Sequence, residues 1–235
     1  MSAHRILQLF PELTNVNGDA ENALVLARRL QWAGSDAEVI AVAPGEAAPA
    51  FRPDAVVLGS GVDSVLHRTR DALETLAPAL TDWVGDGVPV LAVGTGMELL
   101  GHELPLENEV LQGLGILPGM ATALPSRVAG EIAVKSDWGT LVGYENHARG
   151  YRTYAARPMG ETLSGTGNGD GTEGVRHGSV FGTHLHGPIL ARNPSLGMAF
   201  VALAVGDDID AYAPGRADGV ADTINAAALR RLGVA

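Results

Sequence analysis

Residues Val88 to Val93 form an unbroken apolar run that stops at Gly94-Thr95-Gly96 and resumes, with helical character, over Met97 to Leu100. A half-buried strand alternates apolar and polar residues. A strand that is apolar at every position has both of its faces covered. This one stretch therefore demands a layered architecture with a sheet in the middle. The neighbouring segments supply the layers. Ile6 to Phe10, Ala37 to Val42 and Asp54 to Leu58 read as further strands. Glu21 to Ala33 carries Ala23, Leu24, Leu26, Ala27 and Leu30 at helical spacing and stops at Gly34; Arg68 to Trp83 reads as a second helix. Strands alternating with helices predict an α/β fold of three layers around a mostly parallel, doubly wound sheet. Ligands on such sheets sit at the carboxyl ends of the strands, where three loops rich in Gly or small polar residues fall, at 15–19, 59–63 and 94–96.

The second half has a different texture. Ala129 to Val134, Leu141 to Tyr144, Tyr151 to Ala155 and Ser179 to Thr183 read as short strands, expected as antiparallel additions to the same domain. Thr162 to Gly174 is a Gly/Asn/Asp-rich turn cluster. Asn193-Pro194-Ser195 opens a helix over about Leu196 to Val205, Asp207 to Asp218 is a polar link, and Val220 to Leu232 is a last amphipathic helix. The expected division is one domain over 1–206, with 207–235 a linker and helix belonging to that same domain.

Composition narrows the chemistry. The formal net charge is −11, which phosphate backbones would repel, so nucleic acid is not an expected partner. No Lys/Arg cluster stands out, and the pair Arg230-Arg231 reads as a complement to a helix dipole. There is no cysteine, which removes disulfides, thiolate metal sites and any thiol nucleophile. No apolar run reaches the roughly 18–20 residues of a membrane span, and Met1 to Arg5 leads into a strand rather than a signal segment. The expected location is the cytoplasm.

Three segments could carry a reaction. The strand–turn–helix at 88–101 has the layout of a nucleophile elbow, in which a sharp turn lifts one side chain over the sheet and the helix start offers N–H groups to an oxyanion. Its apex is Gly94, which has no side chain, so a plain tight turn is the simpler reading of this segment alone. His184 and His186 share a face if the chain there is extended, but no third ligand lies nearby, which disfavours a metal. His186, followed by Gly187-Pro188, is the better candidate base. Glu145 and His147 could be acid and base, and His186, Glu98 and Glu145 could form an acid/base site in the same cleft, although Glu98 reads more simply as a solvated helix residue. Gly59-Ser60-Gly61 could supply oxyanion donors or be only a turn. Nothing calls for a cofactor.

Taken in order, Asn17-Gly18-Asp19, Gly59-Ser60-Gly61-Val62-Asp63, Pro89 to Gly94, Leu99-Leu100-Gly101, Gly113-Leu114-Gly115, Gly143 to His147 and His186 to Pro194 resemble the class I, cobyric-acid-synthase-type glutamine amidotransferases, and among them the GatD subunits of lipid II isoglutaminyl synthase. The resemblance implies a flavodoxin-like fold and hydrolysis of glutamine. It also implies delivery of ammonia to a Mur-ligase-like, MurT-type partner that amidates D-glutamate in lipid II. It maps the family's nucleophilic Cys onto Gly94, its catalytic His onto His186 and a substrate-binding Arg onto Arg127. Gly59, Ser60, Gly61, Thr95 and Asn146 fall where a glutamine-like ligand would be held. The departures cluster in the site. Gly94-Thr95-Gly96-Met97-Glu98 stands where the family has Cys-Gly-Gly-Tyr-Gln, and Gly59-Ser60-Gly61-Val62-Asp63 where it has Gly-Gly-Gly-Gln-Asp. Several linked changes point to a naturally degenerate paralogue that cannot hydrolyse glutamine. Two alternatives remain, a non-catalytic module that binds a small ligand and an enzyme with other acid/base chemistry in the same cleft.

Overall fold

The first half follows the alternation of its apolar runs. Strand β1 (His4–Leu9) leads through a 3-10 segment (Val16–Glu21) into helix α1 (Asn22–Trp32), then β2 (Ala37–Val42), β3 (Ala55–Leu58), α2 (Leu66–Gly85), β4 (Val90–Val93) and the short α3 (Thr95–Leu100). A small hairpin, β5 (Glu103–Pro105) and β6 (Val110–Gln112), precedes two long strands, β7 (Gly119–Ser136) and β8 (Gly139–Thr153). β9 (Gly160–Ser164), β10 (Thr172–Glu173), β11 (Val175–His177) and β12 (Val180–Thr183) follow, and α4 (Ile189–Arg192), α5 (Pro194–Val205) and α6 (Arg216–Leu232) complete the chain. This computed structural model describes residues 3–206 and 214–234.

The central sheet has the strand order β11-β12-β4-β3-β1-β2. Its strands β1, β2, β3, β4 and β12 are parallel, and β11 is an antiparallel edge. Alternate side chains feed two cores, as the pleat requires. Leu7, Leu9, Val56, Leu58, Val90 and Ala92 face α2, meeting Leu66, Leu73, Leu76 and Leu80. Ile6, Val57, Leu91 and Val93 face the other way, onto Leu26 and Leu30 of α1 and Leu196, Phe200 and Val201 of α5. The unbroken apolar run at 88–93 is thus explained: both of its faces are covered by protein.

Two expectations for the second half need correction. Ser179 to Thr183 is not an antiparallel addition: β12 pairs in parallel with β4 as the fifth strand of the main sheet. Its residues are buried throughout, the pattern of a covered parallel strand, and β11 alone runs against it. The short strands expected at 129–134, 141–144 and 151–155 are instead segments of one long hairpin, β7–β8, in a separate sheet of order β10-β9-β7-β8. The register of that hairpin shifts between Ala123 and Val128, around Pro125, which has no N–H to give the ladder. The turn cluster at 162–174 is present, with Gly165, Gly167, Gly169, Gly171 and Gly174 all at positive φ, though the end of β9 and all of β10 lie within it.

Helix α6 begins at Arg216, four residues before the expected Val220, where the Gly215 N–H donates to the Asp218 carboxylate (2.9 Å). The rest of the expected polar link, up to residue 213, lies outside the described residues. Arg29 of α1 pairs with Asp218 at 2.9 Å, and Arg231 donates to Glu131 of β7 at 3.0 Å. The latter arginine therefore ties α6 to the second sheet. Among the described residues, no helix is long and apolar enough to cross a membrane.

Candidate functional site

Four chain segments leave the carboxyl ends of β1, β3, β4 and β12 and converge. Their contact is fixed by backbone first. Val16 N–H donates to the Ser60 carbonyl (2.9 Å), Gly94 N–H to the Thr183 carbonyl (2.8 Å) and His186 N–H to the Tyr144 carbonyl of β8 (2.8 Å). Glycine permits the closest approaches. A Cβ on Gly59 would lie 1.9 Å from the Thr14 carbonyl oxygen, one on Gly61 2.6 Å from that of Leu13, and one on Gly96 2.4 Å from that of Gly59. The loops are packed backbone to backbone, and no side chain fits between them.

Gly94 sits at the apex, with φ 53° and ψ −121°, immediately before the first turn of α3. That conformation is strained for any residue with a side chain and is characteristic of an elbow that projects one residue over a sheet. Thr95 is held off the apex. Its hydroxyl accepts the Gly61 N–H at 2.8 Å and lies 3.3 Å from the Gly61 carbonyl oxygen, and its own N–H donates to Ser60 Oγ at 3.3 Å. His186 is buried, and its Nδ1 donates to Asp19 Oδ2 at 2.8 Å. That bond orients the ring and leaves Nε2 as the basic nitrogen. Burial pushes Asp19 above the usual carboxylate range, and the bond from His186 offsets part of that rise. The 3-10 segment delivers Asp19 after Asn17 and Gly18, both at positive φ.

These groups line a cavity of about 290 Å³ together with Val62, Asp63, Glu98, Arg127, Asn146 and Arg149. Of the residues expected in the site, Gly94, His186, Ser60, Gly61, Thr95, Arg127 and Asn146 meet there; Gly59 does not reach the cavity and serves the packing against Thr14. The shift around Pro125 carries Arg127 off the strand ladder. Its guanidinium donates to Asn146 Oδ1 at 2.8 and 3.0 Å, which presents it at the cavity mouth. His184 is separate. It is buried, stacks on His147 at 4.1 Å and faces Glu173 rather than the cavity. Among the described residues, no group of three or more His, Asp or Glu could hold a metal ion.

Glu98 corrects the solvated-helix expectation. It is 1% exposed and accepts Arg149 Nε at 2.9 Å. Arg149 also donates through both terminal nitrogens to Asp63, at 2.9 and 3.1 Å. Its hydrogen bonds hold Asp63 below the usual carboxylate range, and the two carboxylates hold Arg149 well above its own despite burial. Glu98 is thus bonded to Arg149 while His186 is bonded to Asp19, which removes the support for an acid/base site that pairs the two. Glu145 is similarly occupied. It accepts the Thr166 N–H (3.0 Å) and the Gly167 N–H (2.9 Å) and lies behind His147. Burial would push Glu145 up, but its bond with the His147 ring and these two backbone bonds outweigh it and hold the carboxyl low.

Arg149 escaped the reading of the sequence, although one signal was available. Glu145, His147, Arg149 and Tyr151 alternate along β8 and all are buried, so a row of polar groups faces inward and must find partners.

The comparisons agree with this geometry. Residues 14–194 match the model of the CobB/CobQ-like glutamine amidotransferase domain. The chain is 31% identical over 193 residues to a lipid II isoglutaminyl synthase (glutamine-hydrolyzing) subunit GatD from Staphylococcus aureus, covering 80% of this chain and 79% of that one. It is 28% identical over 207 residues to the corresponding subunit from Streptococcus pneumoniae, covering 85% and 80%. A glutamine amidotransferase structure from Thermotoga maritima superposes with a TM-score of 0.54 over 99% of both chains at 13% identity, a likeness of fold alone. With that model matched over most of its length, the chain belongs to the CobB/CobQ-like glutamine amidotransferase domain family.

Proposed function

We propose that this protein is a GatD-like subunit that retains the amidotransferase scaffold and its cavity but does not hydrolyse glutamine itself. One observation carries the reading: the apex of the elbow is Gly94, in a chain with no cysteine. Thioester chemistry needs a nucleophile within bonding reach of the amide carbon. A hydrogen atom stands at that place, and the nearest alternative hydroxyl in the elbow, Thr95, is spent on the 59–61 loop. The relatives' names supply the pathway, amidation of lipid II, and their role as subunits supports a protein partner. We assign that partner to the Mur-ligase-like, MurT type. The assigned compartment is the cytoplasm, where an ATP-dependent ligase would work.

The test pairs the purified chain with a MurT-type ligase, ATP and lipid II. Amidation is expected with free ammonium and absent with glutamine as the nitrogen source. Glutamine-dependent amidation, lost in His186→Ala, would overturn the proposal.

A second reading has its own support. The His186–Asp19 pair, Arg127 on Asn146, and a cavity of about 290 Å³ are all intact. That is room for an amino-acid-sized ligand held without reaction. Calorimetry with glutamine would register heat at millimolar ligand if this holds and none if it does not.

A further inference from the structure

A residue without a side chain usually leaves a gap, and the elbow has none. A Cβ built on Gly94 would lie 2.6 Å from Ser60 Oγ, 3.0 Å from Ser60 Cβ and 2.9 Å from His186 Cε1. All three are well inside the roughly 3.5 Å at which carbon atoms pack. Turning the Ser60 hydroxyl away would relieve the first contact but not the second, because Cβ is fixed by the backbone. That backbone is itself clamped: Gly59 and Gly61 press on the Thr14 and Leu13 carbonyls, and the Ser60 carbonyl accepts the Val16 N–H.

The hydroxyl is also engaged. Ser60 Oγ accepts the Thr95 N–H at 3.3 Å and lies 3.4 Å from Thr95 Oγ1. The residue after an elbow's apex is one of those whose N–H would meet an oxyanion formed there. Here that N–H is turned onto a side chain of the protein's own. Ser60 is 6% exposed, so its hydroxyl is not simply rinsed by solvent.

We propose that Ser60 is a built-in stopper: its side chain fills the volume into which a nucleophile at position 94 would project, and its hydroxyl takes up the Thr95 N–H that an acyl oxyanion would need. The inference rests on the reading of a non-hydrolysing elbow and deepens it. The site is closed at two positions contributed by two different strands, β3 and β4. Reversing Gly94 alone therefore cannot rebuild it, because the new side chain would land on Ser60.

The absence of cysteine makes the test clean, since Gly94→Cys introduces the only thiol in the chain. Its alkylation by iodoacetamide at neutral pH is followed by intact mass, in Gly94→Cys and in Ser60→Gly/Gly94→Cys. The double variant is expected to react faster by about tenfold or more, the scale at which misplacement of a reacting group is felt. Its thermal midpoint is expected to exceed the value given by adding the two single-variant shifts, because Ser60→Gly removes two of the three close contacts and leaves only the tip of the His186 ring to give way. Equal alkylation rates, or midpoint shifts that simply add, would overturn the stopper. Should Gly94→Cys fail to fold, Gly94→Ala with and without Ser60→Gly carries the same midpoint comparison. The two possible failures are distinct. Glutamate release by the unaltered protein removes the reading beneath, whereas additivity removes Ser60 from it.

Discussion

Arg149 concentrates the electrostatics of the site. A single guanidinium holds Glu98 on α3 and Asp63 on the loop after β3, and it does so from β8. Glu98 is buried, so removing its partner leaves a carboxylate in a poor solvent. We expect Arg149→Met to cost about 3–5 kcal/mol in urea unfolding, and Arg149→Met/Glu98→Leu to recover a large part of that loss because no unpaired charge remains. A double variant as unstable as the single would contradict this. The pH dependence has a definite sign. Asp63 is held below the usual carboxylate range by Arg149. Its share of the stability is thus present above about pH 4, the ordinary carboxylate value, and is lost as the pH falls through the lowered one. The gap between parent and Arg149→Met should narrow in acid. Gly94 and His186 could be read from short motifs, since a Gly-rich turn or a His before Gly-Pro is a local signal. Arg149 left only the weaker trace of a polar row alternating along β8, because its partners stand 51 and 86 positions away in the chain.

At the scale of elements, the site depends on how closely α3 is seated on the loop after β3. The first turn of α3 has Gly96 against the Gly59 carbonyl, so close that a Cβ there would lie 2.4 Å from its oxygen. A methyl group must push the two elements apart. Gly96→Ala is expected to destabilise by about 1–3 kcal/mol, the usual scale of overpacking, although alanine is the better helix former. A neutral or stabilising effect in thermal unfolding would show that the seat is looser than described. The parallel strands were legible because burial on both faces leaves continuous apolar runs. The β7–β8 hairpin was legible only in pieces, at 129–134, 141–144 and 151–155, because Pro125 and the polar row from Glu145 to Arg149 interrupt its apolar pattern. Those charges find most of their partners in other elements: Thr166 and Gly167 for Glu145, Asp63 and Glu98 for Arg149. Such pairing is a tertiary fact with no local trace.

The whole molecule places its strand ends, not its surface charge, at the service of the cavity. A net charge of −11 speaks against polyanionic partners and says nothing about which protein docks. What the fold offers is an elbow with Gly94 at its apex, an oriented imidazole and a cavity of about 290 Å³ assembled from four strand ends. We propose that this assembly does not break an amide bond. The most direct measurement incubates the purified chain, alone and with a MurT-type ligase, in isotopically labelled glutamine and follows glutamate by NMR over days. The expected spectrum is indistinguishable from that of His186→Ala. Glutamate that accumulates with the unaltered chain and not with that variant would contradict it.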